Sequence, residues 1–319
     1  MESKDWLPGT YSIGSGYNVL TGYYADSKSC LTGLFQFPEK YETVKVGEKY
    51  FSKPKSISYH PSFHTYEYTA QGKSIIEYTQ NFNSKTKVEG EYNFFSASIE
   101  EEIGISSAEN LEKQFSKVHH IVELFTLQLT PHHKSLLKPK VKEDIDTMHN
   151  LTKLFNKYGT HYLTGLVMGG TATYTAITSK TTFESSFNLG LVANMAYKSA
   201  VGSLSAEEKA KYNQSIKSFC ESSSTKLETK GGDPALGGAS FPQHASEWSK
   251  SVLEYMAMVD FAALRGSGSS PLPKNVKSRY TPSIPTTASR TKSGTTLTDH
   301  SCVPKLCPCR PKSSPISSP

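Results

Sequence analysis

The sequence predicts an α+β fold over residues 1–265, and three observations carry that expectation. Strand-like and helix-like segments alternate through this stretch without a linker-like break. The run Glu143 to Lys157 sets Ile145, Met148, Leu151, Leu154 and Phe155 three and four residues apart, the spacing of one apolar helix face. That helix exits through Tyr158-Gly159-Thr160-His161. Gly169-Gly170 then leads into Thr171 to Thr178, a β-branched, threonine-rich run that reads as a strand.

The remaining elements follow in order. Leu7-Pro8-Gly9, Gly14-Ser15-Gly16-Tyr17-Asn18 and the aromatic-rich stretch Cys30 to Phe37 read as turns and short strands. Ile75 to Phe82 is short and mixed in pattern. Ser107 to Phe115 reads as a helix, and Ile121 to Leu129 as a strand stopped by Pro131. Ser205 and Glu208 form a Ser-x-x-Glu capping box ahead of Lys209-Ala210-Lys211-Tyr212, which predicts a helix start. Ser246-Glu247-Trp248 through Leu253 reads as a closing helix and strand.

Composition narrows the function classes. A 36% hydrophobic fraction with no apolar run of about 18 residues encodes no transmembrane helix, so any membrane insertion needs strands, an interfacial helix or a lipid anchor. Met1-Glu2-Ser3-Lys4-Asp5 lacks the basic and apolar regions of a secretory signal. A processed form, an unconventional export route or action inside a cell all fit that start. The formal charge of +6 is localised: from Gly266 onward, eight Lys or Arg face Asp299 alone, leaving residues 1–265 near −1. A nucleic-acid-binding surface on the ordered part is therefore not implied. Residues 266–319 hold nine of the 17 prolines, many Ser and Thr, and a single aromatic, Tyr280. They read as a basic, disordered Pro/Ser/Thr-rich tail that cannot bury enough apolar area to order itself. Five cysteines give no clear disulfide framework, and the spacing of Cys302, Cys307 and Cys309 is not a zinc pattern.

Leu154 to Leu163, with its Tyr158-Gly159-Thr160-His161 core and the following Gly169-Gly170, resembles the signature of the membrane attack complex/perforin (MACPF) family of pore formers. Two further matches accompany it. Gly16-Tyr17-Asn18 resembles the family's N-terminal strand opening, and Lys230-Gly231-Gly232-Asp233-Pro234 its re-entry turn. The resemblance covers about residues 7 to 265. It implies a MACPF/cholesterol-dependent-cytolysin-like fold, a bent, twisted antiparallel β-sheet flanked by two helical clusters. It also implies that those clusters, about 74–106 and 183–229 here, refold to β-hairpins when a ring assembles. Tyr158, Gly159, Thr160, His161, Gly169, Gly170, Gly231 and Gly232 are then the signature and hinge residues, with His161 packing near the bend.

The regions flanking this core carry a period of two. Phe187, Leu189, Leu191, Ala193, Met195 and Tyr197 share one parity; Ser186, Asn188, Gly190, Val192, Asn194 and Ala196 share the other. A membrane β-strand needs about 9–11 such residues, apolar toward lipid and polar toward the lumen. Val88, Tyr92 and Phe94 alternate likewise with Lys87, Glu89, Glu91 and Asn93. The return leg, about Asn213 to Thr229, alternates poorly, and Phe219 shares a parity with Lys217 and Glu221. Ordinary surface hairpins or amphipathic helices packed on the sheet are the alternative for both regions.

Enzyme chemistry finds little support. His60 and His64 are interrupted by Pro61, and the pairs His119-His120 and His132-His133 are adjacent, a poor geometry for joint metal ligation. Glycine motifs for nucleotide phosphates are absent, so no catalytic residue, metal or cofactor is expected. Sequons stand at Asn150 and Asn213. The expected function is a secreted pore former acting at a target-cell membrane. Its partners would be lipid, further copies in a ring or related subunits, and a separate targeting protein or missing domain. A non-lytic protein using the same fold for adhesion, scaffolding or regulation is the competing expectation.

Overall fold

Residues 5–85, 113–179 and 186–266 are described by the computed structural model of the chain. Short strands β1 (Ser15–Tyr17) and β2 (Cys30–Gly33) open it, followed by the hairpin β3 (Tyr41–Val46) and β4 (Lys49–Pro54). Three long strands come next: β5 (Ile57–Gly72), β6 (Lys113–Leu129) and β7 (His161–Ser179). Helix α1 (Ile75–Lys85) follows β5, and α2 (Pro139–Thr147) and α3 (Leu151–Tyr158) connect β6 to β7. After β7 come α4 (Ser186–Ala200), α5 (Ala206–Ser222), β8 (Ser223–Lys230), α6 (Phe241–Ser251) and β9 (Ala257–Gly266).

Among the described residues the strands form a seven-stranded antiparallel sheet and the separate β3–β4 pair. The sheet order is β2-β1-β7-β6-β5, with β8 and β9 both on β7. One edge of β7 pairs with β6 from Gly165 to Ser179. The other edge pairs first with β9, up to Gly169, and then with β8, from Thr171 onward. The change of neighbour falls at Gly169-Gly170.

The sheet curves at the same level. Glu123 and Phe125 of β6 face Gly169 and Met168 of β7, so Leu124 is an extra residue in β6. Pro61 and His64 of β5 face Phe125 and Glu123, so β5 carries one more residue again, with Phe63 at φ 53°. Bulges of this kind bend a strand and increase its twist. Each step outward from β7 lengthens the path, as the outer lane of a curve is longer than the inner.

The two faces of this sheet are covered differently. Directly paired residues in a ladder share a face. Gly72 pairs with Phe115, and Tyr68 with His119. On that face α1 lies down through Tyr78 and Phe82, both buried, with ring centroids 6.3 Å from Phe115 and 5.7 Å from His119 respectively. Burial of each such ring is worth about 1.5–3 kcal/mol. On the opposite face Gln71 pairs with Ser116 and Glu67 with His120. There α4 packs, with Tyr197 5.9 Å from His120 and 6.2 Å from Tyr174 of β7.

Several expectations change. The helix expected over 143–157 is two helices, α2 and α3, because the Asn150 side chain accepts from Lys153 N at 3.0 Å and starts a new one. Phe115, expected in a helix, lies in β6, where Ile177 of β7 faces it in the ladder. The mixed segment Ile75 to Phe82 is helical. Residues 186–200 form a helix in which Val192 and Ala196 are buried along with Leu189, Ala193, Met195 and Tyr197. The period-two grouping is thus not a face of the folded chain, which here follows the helical period. Residues 267–319 and the segment containing Val88, Tyr92 and Phe94 lie outside the described residues. No helix among the described residues is long and apolar enough to cross a membrane, which says nothing of strands.

Candidate functional site

At the exit of α3, Tyr158-Gly159-Thr160-His161 is clamped between α2 and β1. Gly159 caps α3 with φ +80°, and its N–H donates to Phe155 O at 2.8 Å. A Cβ there would collide with the Tyr17 backbone, and a Cβ on Gly16 would collide with the Tyr158 carbonyl. Two glycines thus let β1 and the helix end meet backbone to backbone. The Thr160 hydroxyl then bridges, accepting from Val19 N at 3.2 Å and donating to Tyr17 O at 3.3 Å. Tyr158 OH donates to Asp144 Oδ2 at 2.6 Å, and Lys157 Nζ lies 2.5 Å from the same oxygen. Those bonds, Lys157 first, hold the Asp144 carboxyl well below the usual carboxylate range.

His161 is buried at the first position of β7, its Nδ1 3.1 Å from Thr160 Oγ1. It stands eight residues ahead of Gly169, so it braces the helix exit and not the bend, where it was expected. A strand rises about 3.3 Å per residue, which separates the two by roughly 26 Å.

At the bend, four glycines and one tryptophan converge. Trp248 of α6 is fully buried, and its Nε1 donates to Gly231 O at 3.1 Å. A Cβ on Gly170 would sit 2.5 Å from Val252 Cγ2 and 3.0 Å from the Trp248 ring. One on Gly232 would run into the same indole, and one on Gly231 would lie 2.6 Å from Gly169 O. Gly169 backs directly onto the Val122 carbonyl. Gly170, Gly231 and Gly232 therefore form a socket for Trp248 where β8 leaves β7, while Gly169 lets β6 approach on the other side. Sequence reading placed these glycines but missed Trp248, whose only signal was a lone large aromatic on a predicted helix.

Ion pairs and buried polar groups surround this level of the sheet. Glu123, opposite Gly169, lies 3.6 Å from His64 Nε2 and accepts from Thr126 Oγ1 at 3.2 Å. His64, weighed with His60 as a metal ligand, spends its ring on that contact and on Ser62. Asp260 of β9 is buried and accepts from Tyr66 OH at 3.0 Å, from Tyr24 OH, and from Phe261 N at 2.7 Å. Burial, then the Asp260 charge, pushes the Tyr24 and Tyr66 hydroxyls above their usual range. Nothing in the sequence marked Asp260, since its tyrosine partners are about 190 to 240 residues away.

The two adjacent histidines of β6 stand one on each face, as strand alternation requires. His119 is stacked on Tyr68 at 4.6 Å beneath Phe82, and burial, with Lys117 and Lys230 nearby, pushes its imidazole well below the usual value. His120 Nδ1 lies 2.8 Å from Glu67 Oε1, and that hydrogen bond lowers the Glu67 carboxyl. Near this pair α4 approaches closely: Gly190 leaves room for Gln71, whose side chain would lie 2.8–3.1 Å from a Cβ there. Of the residues expected to insert, Leu189, Ala193, Met195 and Tyr197 are buried in the α4 packing, Leu191 is half-buried, and Phe187 lies in the first turn of α4.

The family profile described as MAC/Perforin domain matches residues 7–265. The fold is similar to GNIP1Aa from Chromobacterium piscinae, with a TM-score of 0.73 and 27% identity over 82% of this chain and 52% of that one. It is also similar to a MAC/Perforin-domain protein from Bacteroides thetaiotaomicron, with a TM-score of 0.54 and 14% identity over 83% of this chain and 57% of the other. The chain thus spans about half the length of these solved structures. No curated protein sequence matches it.

Proposed function

We propose a function from one premise: the chain belongs to the MAC/Perforin domain family. The protein assembles into a ring on a target-cell membrane and inserts β-hairpins that close into a barrel pore. It acts as a lytic agent and not as an enzyme.

One observation carries this reading. Each helical cluster has one helix joined closely to a strand end of the central sheet: two residues separate β5 from α1, and α5 runs into β8 without a gap. A helix that unwound there would extend an existing ladder instead of starting a new one. Only helices and closed barrels satisfy every backbone group within lipid, and no described helix is built to span it. A single chain's hairpins leave open edges, so closure requires a ring of copies.

Release of a self-quenched dye from lipid vesicles, with electron microscopy of the same vesicles, tests the reading. Release together with ring-shaped particles is expected; neither, across neutral, anionic and sterol-containing vesicles, would refute it. A disulfide between Gln71→Cys and Gly190→Cys should pin α4 to the sheet, since these sites already touch. The oxidised variant should still bind vesicles without releasing dye, and a reductant should restore release. Undiminished release by the locked form would rule out α4 as an inserting segment.

A further inference from the structure

We infer that the sheet face now covered by α4 becomes the water-filled side of the pore wall, and the face now covered by α1 its lipid side. This rests on the pore-forming reading and adds to it which residues line the channel.

The register fixes the faces. Thr69 and Gln71 of β5 pair with Val118 and Ser116 of β6. Those pair with Tyr174 and Ala176 of β7, which pair in turn with Leu227 and Thr225 of β8. Paired residues share a face, so the α4 side is odd-numbered in β5, even-numbered in β7 and odd-numbered in β8. A strand that continues past its present end keeps its alternation. The parity of every residue in α1, α4 and α5 is therefore set before any of them moves.

The sequence agrees with that parity in all three segments. Beyond β5, Lys73, Glu77 and Lys85 fall on the α4 side, while Ile76, Tyr78 and Phe82 fall on the other. Beyond β7, Asn188, Asn194 and Lys198 fall on the α4 side, and Leu189, Leu191 and Met195 opposite. Before β8, Glu207, Lys209, Lys211, Lys217 and Glu221 fall on the α4 side, with Tyr212 and Ile216 opposite. Of the ten charged residues in residues 73–85, 186–200 and 205–222, nine share the α4 parity. The helices these segments form now do not demand this, because a 3.6-residue period mixes odd and even positions on every face.

Four residues depart from the pattern: Glu208 on the lipid parity, and Ile75, Val192 and Phe219 on the channel parity. Glu208, the one charge on the lipid parity, completes the capping box of α5 with Ser205. Val192 is buried in the α4 packing, and Phe219, the largest apolar residue on the channel parity, is fully buried in the core. The parity mismatch of Phe219 in the return leg is thus a demand of the helix and not of the strand.

Continuing the β7–β8 ladder beyond Thr178 and Ser223 brings Leu191 opposite Ala210 and Val192 opposite Lys209. Ala210 and Lys211 are neighbours, both exposed on α5, yet they fall on opposite sides of the wall. Ala210→Glu and Lys211→Glu therefore form a matched pair that leaves the soluble fold intact, which unchanged melting temperatures verify. Vesicle dye release should drop at least about tenfold for Ala210→Glu, which puts a charge into lipid, and stay within about twofold for Lys211→Glu. Quenching by brominated lipid supplies the second readout: fluorescence should be quenched more in Ala210→Trp than in wild type, and no more in Lys211→Trp. Wild-type protein that releases no dye overturns the pore reading itself. Release with the two variants alike, or with their order reversed, overturns the face assignment and leaves the pore standing.

Discussion

Gly159 shows how much a single missing side chain controls at the residue scale. Its φ of +80° disfavours any other residue, and the Tyr17 backbone occupies the space a Cβ would need. Gly202 has a similar φ of +69° but nothing within 4 Å of its Cβ position. The two separate strain from collision. Gly202→Ala should cost about 1 kcal/mol, from backbone conformation alone. Gly159→Ala should cost about 2–4 kcal/mol, because β1 must also withdraw. Urea unfolding midpoints at a constant m-value measure both, and equal losses would mean that the contact with Tyr17 contributes nothing. The glycines and the aromatic-Gly-Thr-His run were legible in the sequence because they are local and compositionally unusual. Trp248 was not, since a buried aromatic on a helix looks the same whether it fills a core or a glycine socket.

Among elements, the α2–α3 pair depends on one carboxylate. Asp144 collects Lys157, Tyr158 and Lys140, tying the end of α2 to the end of α3 just where the chain turns into β7. Its pKa is lowered in the folded state. A depressed carboxyl contributes stability that is present above its unfolded value, about 3.9, and lost as pH falls toward the folded one. Asp144→Asn should therefore lower the melting temperature at pH 7 and flatten its decline below about pH 4. Parallel wild-type and variant curves between pH 2 and 7 would dismiss the cluster as a stabiliser. The sequence revealed that a helix lies here but not that it breaks. Its apolar spacing runs unbroken through Met148 and Leu151, while Asn150, a strong N-cap residue, silently restarts the helix. For α4 the difficulty was the reverse: an alternation suited to a strand sits on residues the folded chain winds into a helix.

For the whole molecule, the resemblance anticipated a bent antiparallel sheet but not the length of its strands or the residues that curve them. The extra residues at Leu124 and at Ser62-Phe63 become visible only when strands some 40 and 60 residues apart, respectively, are set in register. No local pattern marks them. Yet Phe63 shapes how the molecule meets its own kind. β5 is the last strand of the described sheet, 16 residues long, with one row of backbone donors and acceptors unpaired within it. A smooth edge of that length invites a second chain to zip alongside it in solution. The kink at Phe63, a residue 56% exposed, interrupts the row near its middle and leaves only short stretches on either side. Deleting Phe63 should straighten the margin and convert monomer into a concentration-dependent dimer or aggregate by sedimentation velocity, in the absence of any lipid. A local irregularity would then be what keeps the chain dispersed until a surface gathers it.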